Sequence, residues 1–289
     1  MVEENLVSRV AIVTDSAADL SPEMVAAAGI AVVPLALSFG SESFMAGTQL
    51  STEDFWQRMT APDAPFPTTA ASSPGDFKAA YDKAFADGAD AIVSVHVAGS
   101  LSGTLKAVQS ARAFLPDREI HVVDTGSASM GEGLLALMGA EMAGLGVAAA
   151  EIARILTERA KDIDVFVALD TLEYLKKGGR ISGARAAIGT LLSFKPIITI
   201  RDGVVEAIER PRTSGKARAR VTELLTERPV ERIAILYTPP ADGDAYRREV
   251  AERLAGSIDP ATISLQPVGP SVGPHLGPGC VGGVVLLKR

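Results

Sequence analysis

Cysteine and histidine are almost missing from this chain: its 289 residues include one cysteine and three histidines. Cys280 alone excludes a disulfide framework and any zinc site built on two or four cysteines, and it agrees with a reducing compartment. His96, His121 and His275 stand far apart, which leaves little room for a histidine-built metal site. Aromatics are scarce, at nine Phe, four Tyr and one Trp. No aromatic–basic interleaving or helix-turn-helix pattern marks a nucleic-acid binder. With 28 Lys+Arg against 35 Asp+Glu the net charge is −7, the wrong sign for a general nucleic-acid coat. A Walker-type phosphate loop is absent. Although 47% of the residues are hydrophobic, no run of about 18 uncharged apolar residues occurs. The most apolar stretch, 130–156, is interrupted by Glu132, Glu141 and Glu151. The segment Met1–Asn5 is acidic where a signal peptide is basic. These absences predict a soluble, cytoplasmic protein without a membrane span.

What is present is alternation. Val10-Ala-Ile-Val-Thr14 is strand-like and ends at Asp15-Ser16. Ser21-Pro22-Glu23 opens a helix with a capping hydroxyl, a first-turn proline and an acid. Residues 31–37 predict a second strand, Ser51-Thr-Glu-Asp54 caps a second helix, and Ser73-Pro74-Gly-Asp76 starts a third that ends near Gly88. Residues 91–97 read as strand, 101–115 as helix and 119–124 as strand. Strands alternating with helices of this length indicate a parallel, doubly wound sheet. Helical stretches over 130–144 and 147–160 lead away from it. A second unit begins at the strand 165–169. Strands 196–200 and 204–208 flank Asp202-Gly203, the two-residue hairpin signal. Helices over 214–227 and 243–255 surround strand 233–237, and 282–287 is a last strand. Hairpin mixed with helix predicts a mixed sheet. The expected fold is α/β in two domains: 1–162 with a parallel sheet and 163–289 with a mixed one.

Several strings carry candidate chemistry. Gly277-Pro-Gly279-Cys-Val-Gly282 fits G-x-G-x-x-G, but the dinucleotide fingerprint needs a strand before it and a helix after it. Here a loop precedes and an apolar strand follows, so the Rossmann reading is rejected. Gly99-Ser100-Leu101-Ser102-Gly103-Thr104 follows a buried strand and opens a helix, where free amides and the positive dipole end suit an anion. Its bland reading is that Ser102 only caps the helix, and Leu101 at the centre excludes a nucleophile elbow. Thr68-Thr69-Ala-Ala-Ser72-Ser73-Pro74 is a second hydroxyl-rich loop, again with capping as the bland reading. His275 sits in the Gly/Pro-rich loop 272–279, ill-suited to core packing and able to donate a hydrogen bond or carry a pH-sensitive charge. His96 and His121 read as filling inside strands. Asp170 to Ser182 reads as a short helix capped by Asp170, with Lys176 and Lys177 in its last turn and Gly178-Gly179 presenting Arg180.

Together these strings resemble the DegV family of bacterial fatty-acid-binding proteins, which includes the B subunit of fatty acid kinase. The resemblance is carried by Ile12-Val13-Thr14-Asp15-Ser16, Val32-Val33-Pro34-Leu35 with Phe39-Gly40, and Ser73-Pro74-Gly75-Asp76-Phe77. It continues through Leu101-Ser102-Gly103-Thr104, Asp124 with Ser129-Met-Gly131, and Asp170 to Ser182. Lys195-Pro196-Ile197, Arg212-Thr213 with Lys216-Ala217, and His275 with Gly277-Pro278-Gly279 complete it. The landmarks run in the family's order from about residue 9 to 289. The resemblance implies two α/β domains with a lipid tunnel at or near their junction. It implies that Thr69, Ser102 and His275 hold a fatty-acid carboxylate, with Gly103 and Thr104 beside them. The ligand it implies is a long-chain fatty acid such as palmitate or a similar C14–C18 acid, with no cofactor and no metal. Where the family reads T-S-Q-P-S, this chain has Thr69-Ala70-Ala71-Ser72-Ser73. A protonated His275 or the helix dipole would offset the cost of burying the anion.

Two functions follow as expectations. In the first, as the resemblance implies, the chain is not an enzyme. It carries the fatty acid and presents the carboxylate to a separate kinase that forms an acyl phosphate, with Arg180 and Arg212 as docking residues. Neither nucleic acid nor a membrane span belongs to this reading, transient membrane contact apart. In the second, the chain is a stand-alone transferase or hydrolase acting on a small phosphorylated or carboxylated metabolite at the Ser102 helix start, with Asp15 or Asp124 as base. Between Lys176 and Arg220 eleven basic residues face three acidic ones, a net +8 that leaves −15 for the rest. That basic segment is either a solvated face or a docking surface for an acidic or nucleotide-bearing partner.

Overall fold

The structure, a computed structural model, describes residues 9–181 and 194–289. Met1–Asn5, Ser182 and Arg185, which enter the sequence reading, lie outside the described residues. In chain order the elements of the first unit are β1 (Val10–Asp15), α1 (Pro22–Ala28), β2 (Ala31–Val33), β3 (Ala36–Phe39), β4 (Glu42–Met45), α2 (Thr52–Met59), β5 (Thr68–Ala70), α3 (Pro74–Ala86), β6 (Ala91–His96), α4 (Thr104–Ala113), β7 (Glu119–Asp124), α5 (Met130–Gly144) and α6 (Ala149–Arg159). The strands β2-β1-β6-β7 form a parallel sheet in that order. Helix starts follow the caps read from sequence: Ser21, Ser51 and Ser73 each accept a hydrogen bond from the amide three residues on. Such a cap contributes about 1 kcal/mol. At Ser73 the Asp76 carboxylate reciprocates by accepting from the Ser73 amide at 2.9 Å.

The second unit comprises β8 (Ile163–Ala168), α7 (Glu173–Lys177), β9 (Ile197–Arg201), β10 (Val204–Glu209), α8 (Ser214–Thr226), β11 (Val230–Tyr237), α9 (Gly243–Arg253), β12 (Ser264–Pro267), α10 (Gly273–Leu276) and β13 (Val281–Leu287). Its sheet runs β10-β9-β8-β13-β11-β12, antiparallel except for the parallel pair β11–β12. The fold is thus α/β, with one parallel sheet, one mixed sheet and a small antiparallel sheet, β4-β3-β5. Both sheets pack on α5, whose first turns are buried on every side, as expected of a helix apolar all round. One hydrophobic cluster therefore runs from Ile12 and Val93 through Leu135 to Val167 and Val284. The two units have separate sheets but a shared core. Among the described residues no helix is long and apolar enough to cross a membrane.

Four readings change. The strand expected over 31–37 is two strands in different sheets: β2 pairs with β1, whereas β3 lies between β4 and β5 in a small antiparallel sheet. Pro34 has no amide to continue a ladder, and the next amide, Leu35, donates to Ser16 Oγ at 2.8 Å instead. The helix expected from Leu101 begins at Thr104, because the amides of Leu101 and Ser102 both turn back onto Ala98 O. Asp170 does not cap α7: Thr171 Oγ1 accepts from the Glu173 amide, while Asp170 pairs with Lys195 at 2.7 Å. The loops assigned to Thr69 and His275 are the strand β5 and the short helix α10. Helix α10 therefore precedes the G-x-G-x-x-G string and strand β13 follows it, the reverse of the dinucleotide order.

Candidate functional site

The chain winds from β1 outward to β2 on one side and to β6 on the other. A crevice is expected outside the carboxyl ends of the strands at this switch point. A cavity lies there, with some 890 Å³ of unfilled space, its open mouth included. Ala17 and Val97 line it from just beyond β1 and β6. Val165, Val167, Ile198, Ile200, Val205 and Leu236 line it from the mixed sheet, and Ala128 and Ser129 from the entry to α5. The β9–β10 hairpin reaches across: Ser100 Oγ donates to Gly203 O at 2.6 Å. At Gly203, with φ +72°, a Cβ would stand 2.2 Å from that Ser100 oxygen. The Asp202-Gly203 turn therefore both reverses the chain and lets the mixed sheet seat itself on the loop after β6.

Polar groups gather at one end of this apolar space. Thr69, Ser102, Gly103, Arg180 and His275 all line it. Thr69 Oγ1 and His275 Nε2 lie 3.2 Å apart, although 206 residues separate them. Pairing of β5 with β3 places Thr69 opposite Leu37. His275 is held by close packing on both sides of α10: a Cβ on Gly178 would stand 2.1 Å from its Nδ1, and one on Gly277 2.2 Å from the Tyr174 ring. Ser102 Oγ sits 2.8 Å from Thr104 Oγ1 and accepts from the Thr104 amide at 3.2 Å. Thr104 is fully buried and does not line the cavity; it orients Ser102. Arg180, half-buried, donates from Nε to Leu101 O at 3.0 Å and from Nη1 to Gly178 O at 2.7 Å. Its guanidinium thus bridges the loop of Ser102 and the end of α7.

Electrostatics at this end differ from the sequence expectation. Burial, with the Arg180 charge second, pushes His275 down to about 4. The imidazole is neutral at neutral pH, so the positive charge facing the cavity is that of Arg180. His275 Nδ1 is buried without a hydrogen-bond partner, so no carboxylate orients the ring.

Comparison with known proteins places this architecture. A family model described as an uncharacterised protein of the DegV family matches residues 9–288. The chain belongs to the DegV family. A DegV domain-containing protein of Streptomyces coelicolor is 35% identical over 283 residues, covering 96% of this chain and 99% of that protein. The structure of a DegV family protein from Thermus thermophilus, described for its fatty acid binding, matches with a TM-score of 0.86 at 34% identity, over 97% of this chain and 100% of that one. A stearic-acid-binding protein from Eubacterium ventriosum matches with a TM-score of 0.85 at 26% identity, over 95% and 97% of the two chains.

Against the DegV resemblance, Thr69, Ser102 and His275 stand at one end of one cavity, with Gly103 on its edge. Arg180 stands with them in the cavity wall rather than out with Arg212, which is exposed just before α8. Ala70 and Ala71, where the family pattern differs, also line the cavity. Asp124 serves a turn, accepting from the Gly126 amide at 2.9 Å. Asp15 lies instead in a fully buried group with His96 and Glu132, whose ligand-capable atoms all fall within 4.8 Å of one another. That group escaped a sequence reading that set the histidines aside as isolated. The one signal was Glu132, an acid within the most apolar helical stretch of the chain.

Proposed function

We propose that this protein binds a long-chain fatty acid in the cavity and holds its carboxylate at the Thr69–Ser102–His275 end for use by a separate kinase. The observation that carries the reading is the shape of the site: apolar walls converging on two hydroxyls, a neutral imidazole and one guanidinium. A carboxylate needs two or three donors and a compensating charge when it leaves water. With its hydrogen on Nε2, His275 is such a donor, alongside Thr69 and Ser102, and Arg180 supplies the charge. Acyl chains gain about 0.8 kcal/mol per buried methylene, so roughly 14 of them supply on the order of 11 kcal/mol before ordering costs. Solved relatives described as fatty-acid or stearic-acid binders support the ligand class.

The hydrolase or transferase reading fits the geometry less well. Ser102 faces Thr104, not a base, and the Thr69–His275 pair lacks the third group that orients a catalytic imidazole. A phosphate loop is missing from the sequence, so formation of an acyl phosphate falls to the partner. Organic extraction of the purified protein followed by mass spectrometry tests the reading. A co-purifying fatty acid near one per chain is expected. An empty protein that also fails to rebind palmitate or stearate overturns it.

A further inference from the structure

Beneath the cavity wall lies a cluster that the fatty-acid reading leaves unused. Thr14, Asp15, His96 and Glu132 are all fully buried. Asp15 accepts from the Ala17 amide at 2.9 Å and, on its other oxygen, from His96 Nδ1 at 2.9 Å. Glu132 Oε1 accepts from Thr14 Oγ1 at 2.8 Å and, more weakly, from the Asp15 amide at 3.4 Å. Glu132 Oε2 is buried with no hydrogen-bond partner, and carboxylate oxygens of Glu132 and Asp15 approach within 4.8 Å of each other. Two carboxylates this close in a dry interior repel strongly, and an unpaired buried oxygen adds its own desolvation cost. One hydrogen removes both problems: placed on Glu132 Oε2, it turns the orphan acceptor into a donor to Asp15.

The neighbours fit that assignment. His96 Nε2 stands 2.6 Å from Ser94 Oγ, which stands 2.8 Å from the Tyr81 hydroxyl. Burial pushes Tyr81 up to about 12, so it remains a donor. With Tyr81 donating to Ser94, these contacts let Ser94 donate to His96 Nε2 and His96 Nδ1 to Asp15. Of the ionisable side chains on elements packed around α5, Asp15 and Asp19 from β1 and its following turn and His96 from β6 face this region. Those on the other elements are engaged elsewhere. Arg232 of β11 pairs with Glu141, Arg159 of α6 with Asp162 and Glu231, Arg154 with Glu151 and Glu158, and Asp164 of β8 with Arg228. Glu23 of α1 is exposed, and β13 carries no ionisable side chain. Burial first, and the Asp15 charge second, hold Glu132 well above the usual carboxyl range.

We propose that Asp15 and Glu132 share a single buried proton, and that Glu132 is through it a positioning residue for the lipid cavity. The pair ties the end of β1 to the first turn of α5. The residues that flank this tie, Ala17 on one side and Ala128 and Ser129 on the other, form one wall of the cavity. Glu132→Gln mimics the protonated acid at any pH, since its amide donates to Asp15 while its oxygen still accepts from Thr14. Glu132→Ala breaks the tie.

The proton and the positioning role are tested separately, because the second rests on the fatty-acid reading and the first does not. A raised carboxyl value means that the native state holds the proton longer than the unfolded chain, so stability falls as pH rises above the ordinary carboxyl range. With lipid-free protein, wild type and Glu132→Gln should melt together near pH 4.5, and the variant should lead by about 2–4 °C or more at pH 8. Infrared spectra at pH 8 should show a protonated-carboxyl band in wild type that is missing from Glu132→Gln. A lead that does not widen with pH, or the absence of that band, overturns the shared proton. So does a stoichiometric divalent metal in wild type that raises its melting temperature and is lost in Glu132→Gln, since a cation would then hold the pair. Loaded with stearate, Glu132→Gln should retain lipid like wild type and Glu132→Ala should release it at least several-fold faster. Equal retention by both variants, in a wild type that does bind stearate, overturns the positioning role alone.

Discussion

Acid should weaken this protein through His275, and the size of the effect follows from where the ring sits. In the unfolded chain its imidazole titrates near 6.5; in the folded protein burial and the Arg180 guanidinium bring it down to about 4. A histidine held neutral in the native state binds its proton first in the unfolded state. Stability is therefore intact above about pH 6.5 and is lost as pH falls toward 4. At 1.36 kcal/mol per pH unit the full loss is about 3 kcal/mol, with about 2 kcal/mol of it gone by pH 5. Other groups act in the opposite sense: burial lifts Asp19 to about 7, which weakens the fold as pH rises. The clean measurement is thus a difference, urea denaturation of lipid-free wild type and His275→Gln at matched pH from 7.5 to 4.5. Contributions common to both proteins cancel, and wild type should lose about 2 kcal/mol relative to the variant by pH 5. A flat difference would mean that the ring titrates in the folded protein as it does in the unfolded chain, and one that favours wild type in acid would mean that the folded protein holds the charged ring. Either result would refute the buried, neutral His275 on which this prediction rests.

The other predictions concern the site and its supports. Ser102→Ala and Thr69→Ala each remove one hydrogen bond to a charged oxygen, worth about 1.5–3 kcal/mol, so fatty-acid affinity should fall roughly 10- to 100-fold by titration with a fluorescent fatty acid. Arg180→Ala should also release lipid, since its guanidinium lines the cavity, whereas Arg212→Ala should keep lipid at wild-type occupancy and lower only its use by the kinase. Equal lipid loss in both arginine variants would contradict that division. Gly277→Ala places a methyl 2.2 Å from the Tyr174 ring at φ +77°; a destabilisation of at least about 1–3 kcal/mol is expected in thermal melts.

Local signals in the sequence were read where one short segment settles its own structure. Ser21, Ser51 and Ser73 name three helix starts, and Asp202-Gly203 names the hairpin, because caps and tight turns depend on two to four adjacent residues. What the sequence hid depends on tertiary partners. Residues 31–37 look like one strand until Pro34 hands the chain from one sheet to another. Thr69 becomes a strand residue only because β3 is there to pair with it. Arg180 reads as a presented surface cation after Gly178-Gly179, yet the carbonyl of Leu101 turns its side chain back along the cavity. The Asp15–His96–Glu132 group joins three elements whose residues lie 81 and 117 positions from Asp15, a convergence that no spacing rule reports.

The basic segment also takes a different form once its partners are placed. Its sequence tally of +8 counts every cation as free. Lys195 pairs with Asp170, Arg201 with Glu206, Arg218 with Glu249, and Arg220 with both Glu209 and Glu223. Surface pairs of this kind contribute little stability, but they cancel the field that a docking partner would feel. Lys176, Lys177, Arg210, Arg212 and Lys216 remain exposed. Lys195 donates its amide to Pro211 O at 2.7 Å, which brings Arg212 to the edge where Asp170 and α7 begin. Lys177, at the other end of α7, lies over the Phe66 ring. Of these cations, Lys176, Lys177 and Arg212 rim α7, which leads to Arg180 at the head of the cavity. On the proposed reading, a kinase steered by that rim would arrive at the polar end of the cavity, and its use of bound lipid should weaken with added salt while lipid retention stays constant.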